Sequence, residues 1–117
     1  QCFAEARGVV QDSEEMVKLY RQAADQGHAD AQHRLGRCYI MGFGMPAKDE
    51  AKAARLFGQA AKQGHPESQF NLGFIYANGI GVARDNAAAV RLYKKAAEQG
   101  DSSAQSSLAV CYIEGTG

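Results

Sequence analysis

A chain of 117 residues, 45% hydrophobic and 22% charged, has the composition of an ordinary folded domain or a short repeat array. Its 13 Lys and Arg balance 13 Asp and Glu, which argues against the basic surface that nucleic acid or an anionic membrane calls for. No apolar run nears the roughly 20 residues of a membrane span, and no basic-then-apolar leader follows Gln1.

The phrase "AADQGHADAQHRLG" at 23–36 returns as "AAKQGHPESQFNLG" at 60–73 and "AAEQGDSSAQSSLA" at 96–109. A tandem period of 36 to 37 residues divides the chain into a partial unit 1–27, full units 28–64 and 65–100, and a partial unit 101–117. Cys2-Phe3 align with Ile75-Tyr76, so the chain opens inside a helix. With no initial Met, it reads as a slice of a longer array. Open ends in such an array predict end-to-end self-association.

Asp12, with Glu15 at the capping-box spacing, is expected to start the next helix, as Asp49 and Asp85 do in later copies. Behind these caps stand the columns Met16/Ala53/Ala89, Leu19/Leu56/Leu92, Tyr20/Phe57/Tyr93 and Ala23/Ala60/Ala96. Offsets of three, four and seven make them one apolar helical face. This helix B ends at Gly27, Gly64 and Gly100. Helix A follows at once, with Pro66 in its first turn and inward columns Ala31/Ser68/Ala104, Leu35/Leu72/Leu108 and Tyr39/Tyr76/Tyr112. Gly36 and Gly73 imply that another helix passes close to helix A, and the glycine pairs at 42/44, 79/81 and 115/117 close it. The fold class is therefore all-α, a solenoid of about three helix-turn-helix repeats. Gly58, which faces Arg21 and Lys94 in other copies, has no explanation in the pattern.

Chemistry is thin. Cys2, Cys38 and Cys111 share one repeat position. Stacked repeats hold such positions about 10 Å apart, beyond disulfide reach, so the cysteines are expected as unbridged thiols, which fits a reducing compartment. His28, His65 and Asp101 occupy one polar loop column. His33 is five residues from both His28 and Cys38, not the i, i+4 spacing that puts two ligands on one helical face. Glu14-Glu15 and Asp49-Glu50 suit helix starts. No catalytic, metal or cofactor set emerges.

The recurring "AQHRLGRCYIMGFG", "SQFNLGFIYANGIGVARD", "AAVRLYKKAAEQG" and "SAQSSLAVCYIEGTG" resemble the Sel-one-like repeat family, relatives of the tetratricopeptide repeats. Ala109, in place of a helix A glycine, is a small departure. The resemblance implies a right-handed α/α superhelix with helices A on the concave face, and adaptor function through a protein or peptide partner. By the related units, the groove comprises His33, Arg37 and Ile40, then Phe70, Phe74 and Ala77, then Ser106, Val110 and Ile113, with Asn78 and Glu114 at its border. Phe70 and Phe74, spaced i, i+4, are expected to anchor a peptide whose carboxylate Arg37 holds. The alternatives are a structural spacer within a longer array and, more distantly, a β-lactam-directed hydrolase of the cysteine-rich kind. The latter pairs cysteines within each repeat, which this chain does not.

Overall fold

The structure, a computed structural model, describes residues 2–115, with side chains from Ser13 onward. The described residues form α1 (Cys2–Asp25), α2 (Ala29–Met41), α3 (Glu50–Lys62), α4 (Pro66–Asn78), α5 (Asn86–Glu98) and α6 (Ser102–Glu114), with no strand. Each helix packs chiefly on its neighbours in sequence, and the stack measures 53 × 28 × 25 Å. It is an all-α repeat solenoid in which α1, α3 and α5 supply helix B, and α2, α4 and α6 helix A.

Caps set the helix starts. The carboxylates of Asp49, Asp85 and Asp101 accept from the backbone N–H of Lys52, Ala88 and Ala104 at 3.1, 3.0 and 2.8 Å, filling donors that have no partner inside the helix. Asp12 breaks this rule. Instead of a new helix opening behind it, α1 runs without interruption from Cys2 to Asp25. Helix A ends elsewhere at Gly42, Gly79 and Gly115, each left-handed with φ of 73°, 65° and 71°. Ala6 holds that repeat position in the first unit, and a residue with a Cβ does not readily turn left-handed. Without the stop, the helix continues through Asp12. Glu15 forms an exposed ion pair with Lys18 at 3.6 Å. The side chains of Cys2 and Asp12, and the pairing residue Gly117, lie outside the described residues.

The core forms between helices A and B. One cluster holds Val17, Ala24, Ala31, Leu35 and Cys38, and the next holds Ala53, Ala54, Phe57, Ala61, Leu72 and Ile75; Tyr39 packs against both. Gly36 and Gly73 allow the crossing. A Cβ added there would lie 3.0 Å from the Phe57 ring and 2.8 Å from the Tyr93 ring, inside normal contact. The equivalent Ala109 is exposed and tolerated, since no described helix B covers α6. The same lack leaves Tyr112 and Ile113 exposed on α6, and Leu19 stands 61% exposed on α1 although Leu56 and Leu92 are half-buried. Apolar columns are buried only where the neighbouring repeat is present to cover them. At Gly58 a Cβ would meet only Leu72, at 3.9 Å; nothing in the structure requires glycine there.

Candidate functional site

The helix A face divides into columns with different fates. The column of His33 and Phe70 points into the stack rather than out of it. The His33 ring, 4% exposed, lies on Phe57 with centroids 5.5 Å apart, and the half-buried Phe70 lies on Tyr93 at 5.8 Å. Helix B places an aromatic opposite this column in both full repeats, so burial claims the ring. Ser106, in the third copy, is exposed. The expected Phe70/Phe74 pair is thus split: Phe70 packs within the repeat, while Phe74 stands 48% exposed.

The next column is Arg37, Phe74 and Val110; Arg37 and Phe74 form the walls between three depressions that succeed one another at the repeat step, and Val110 lines the third. The first, of about 200 Å³, lies between Met16 and Tyr20 of α1 and Arg34, Arg37, Cys38 and Met41 of α2. The second, of about 210 Å³, runs from Arg37, Ile40 and Met41 of α2 over Phe57 to Asn71, Phe74 and Ile75 of α4, closed by Ile80. The third, of about 370 Å³, takes in Phe74, Ala77 and Asn78 of α4, Tyr93 of α5, and Ser106, Val110 and Glu114 of α6. Arg37 is shared by the first two and Phe74 by the last two. Ile113 lines none of them and is 84% exposed.

Charge is unevenly spread along this run. Arg34 is held by Asp30, Nε donating to Oδ2 at 2.8 Å, and that bond draws the Asp30 carboxyl below its ordinary range. Arg37 is exposed and has no carboxylate partner among the described residues. The Asn78 amide is turned back onto its own helix, donating to the Phe74 carbonyl at 2.9 Å. Burial raises the Cys38 thiol above its usual pKa, which keeps it protonated and unreactive. The Tyr93 hydroxyl is raised likewise, by burial first and Cys111 second.

Two features were not singled out from the sequence. The first joins Asp30, His65, Ser68, His33 and Glu67. Ser68 Oγ lies 2.9 Å from His33 Nδ1 and 3.0 Å from His65 Nδ1. Asp30 Oδ1 stands 3.6 Å from His65 Nε2, and Glu67 Oε2 stands 3.6 Å from His33 Nε2. The order Asp–His–Ser matches that of a nucleophilic triad, but Ser68 is 0% exposed, so no substrate reaches its hydroxyl in this state. The signal was Ser68, the polar member of the column Ala31/Ser68/Ala104. The second feature is a chain of glutamines. Gln32 and Gln69, both buried, donate to the carbonyls of Ala24 and Ala61 at 3.3 Å, and Gln105 donates to Ala97 at 3.2 Å. Gln63 and Gln99, at the helix B ends of the same repeats, donate to Gln32 and Gln69 at 2.8 Å. Six glutamines at the repeat period, Gln26/63/99 and Gln32/69/105, were the signal.

Helix pairs stacked at a constant step, joined by recurring side-chain bonds, define an α/α repeat protein. The chain belongs to the Sel1 repeat family, whose repeats match residues 1–28, 29–65, 66–101 and 102–117. A Sel1 repeat protein from Oxalobacter formigenes shares 33% identity at a TM-score of 0.83, over 87% of this chain and 40% of that one. A protective antigen of uropathogenic Escherichia coli displaying an SLR fold shares 42% identity at 0.81, over 86% of this chain and 21% of that one. Helicobacter pylori cysteine rich protein B, 20% identical at 0.73 over 86% of this chain and 90% of its own, shares the fold. The chain thus spans 40% and 21% of the first two proteins. No curated protein matches it. Sel1 repeats are in general protein-interaction modules, and no helix among the described residues is long and apolar enough to cross a membrane.

Proposed function

We propose that the protein is an adaptor that binds a peptide segment along the face of α2, α4 and α6. The observation that carries this reading is the run of three depressions at one repeat step, walled by Arg37 and Phe74. The middle depression is lined almost wholly by Ile40, Met41, Phe57, Phe74, Ile75 and Ile80. At about 210 Å³ it has room for one bulky apolar side chain, since an enclosed cavity of about 150 Å³ holds a benzene ring. Arg37 at its rim offers an uncommitted guanidinium, which binds a carboxylate in a forked geometry. The ligand that fits is a peptide with a large apolar residue beside an acidic one. The third depression, larger and bordered by Asn78, Ser106 and Glu114, suits polar residues further along the segment. With Ser68 sealed and Cys38 held as a buried thiol, the reading needs no catalysis.

A peptide-library selection tests it, run on the protein and on Phe74→Ala/Arg37→Glu. Enrichment of acidic-apolar peptides by the parent and not by the variant is expected. Equal enrichment by both places binding elsewhere. No enrichment by either favours a structural segment of a longer stack.

A further inference from the structure

The bonds around Ser68 admit one proton arrangement. His65 caps α4, its Nδ1 accepting from the Ser68 backbone N–H at 3.3 Å. That nitrogen therefore carries a lone pair, and the Ser68 hydroxyl, 3.0 Å away, donates to it. The oxygen is then an acceptor for His33, whose Nδ1 is 2.9 Å off and must carry hydrogen. A single directed chain results, from His33 Nδ1–H to Ser68 O–H to His65 Nδ1. It spans two repeats, because His33 belongs to α2 while Ser68 lies in the first turn of α4 and His65 caps it.

An added proton has no comfortable place. On His65 Nδ1 it removes the acceptor of two hydrogen bonds at once, the cap and the serine bridge. On His33 Nε2 it charges a ring that lies 4.8 Å from the His65 ring and 5.5 Å from Phe57. Glu67 from α4 and Asp30 from its own helix favour that charge, while His65 from the start of α4 and Arg37 from its own helix oppose it; α3 contributes the uncharged Phe57. Burial outweighs them all and pushes the His33 imidazole down to about 4.

We propose that the seam between α2 and α4 is an acid-labile joint: an added proton either breaks the Ser68-centred chain at His65 Nδ1 or charges the buried His33 ring, and this seam opens while the seam between α4 and α6 holds. At the second seam the corresponding residues are Phe70, Ala104 and Asp101, so the chain supplies its own control. The middle depression is walled by the same two helices, α2 and α4, and would change shape with the joint. The joint is read directly, without a ligand.

The test is hydrogen exchange of the first turns of α4 and α6, corrected for intrinsic rates, at about pH 7 and about pH 4.5. Protection at Ser68 to Phe70 should fall at least about tenfold more than at Ala104 to Ser106, the factor that one pKa unit represents. The variant His33→Phe/His65→Asp/Ser68→Ala, carrying the residues of the other seam, should lose that difference. Should it not fold, His65→Asp alone keeps an acceptor at the cap and removes the imidazole. Equal losses at both seams in the parent, or the same α4 loss in either variant, overturn the proposal. So does a His33 ring that titrates near about 6.5 by NMR.

Discussion

The α2/α4 and α4/α6 seams repeat the same step with different chemistry. Each lays a ring of helix A on an aromatic of helix B, His33 on Phe57 and Phe70 on Tyr93. Each carries a 2.8 Å glutamine bond, from Gln63 to Gln32 and from Gln99 to Gln69. Each begins its helix A with a side-chain cap, His65 for α4 and Asp101 for α6. The ring of helix A, the residue beneath it and the capping residue differ. The second seam is apolar at Phe70 and Ala104; the first is a polar chain that works because every member is satisfied. No buried side-chain nitrogen or oxygen among the described residues lacks a partner. A repeat architecture therefore fixes where a side chain is buried, and leaves open whether apolar packing or a closed hydrogen-bond set fills the place.

Removing the ring platforms is the largest test of that comparison. Phe57→Ala and Tyr93→Ala should each cost about 3–5 kcal/mol in denaturant unfolding, the range for large-to-small core changes. Phe57→Ala should be the worse of the two, because it also undermines His33 and, through it, Ser68. Equal losses would show that the polar chain stands without its platform.

Acid separates the seams next. His33 has a folded pKa of about 4 against 6.5 for the free side chain, so the unfolded chain takes up the proton first. The stability tied to its neutral ring is complete above pH 6.5, is lost as pH falls towards 4, and changes no further below that. The full loss is about 3 kcal/mol, at 1.36 kcal/mol per pKa unit, and His33→Phe should remove it from the pH dependence of unfolding. A parent and variant with parallel curves between these values would mean that His33 is not the group responsible.

The period, the caps and the apolar columns were legible because each copy repeats them. Leu35, Leu72, Ala60 and Ala96 are all buried, as stacking demands, and Gly36 and Gly73 sit where a helix B ring passes. What failed lies in columns that do not repeat, or in the partial first unit. Asp12 looked like a cap, but a cap needs the preceding helix to stop, and Ala6 cannot provide the left-handed turn. His33 and Phe70 belonged to a column assigned to the groove by resemblance; their depth depends on Phe57 and Tyr93 lying across from them, a distance of two dozen residues in sequence. Ser68 was placed correctly as an inward residue, yet its two histidine partners come from either side of a repeat boundary. Side-chain bonds across such a boundary have no signature in periodicity.

The glutamines give the last and smallest contrast, since here the seams should agree. Gln32→Ala and Gln69→Ala each remove one donor to a helix B carbonyl and one acceptor for the next glutamine. Each should cost about 1–2 kcal/mol, the range for a buried hydrogen-bonded group whose partners are left behind. Gln105 makes the same carbonyl bond, to Ala97 at 3.2 Å, but is exposed and has no later glutamine among the described residues. Gln105→Ala should therefore cost well under about 1 kcal/mol, as expected of a solvent-accessible polar group. Equal effects at Gln32 and Gln69 would show that this bond is independent of the chemistry around it. A Gln105→Ala loss as large as theirs would assign the ladder's contribution to the carbonyl bond across the repeat boundary, and the bond between the two glutamines of one repeat would then do no more than fill space.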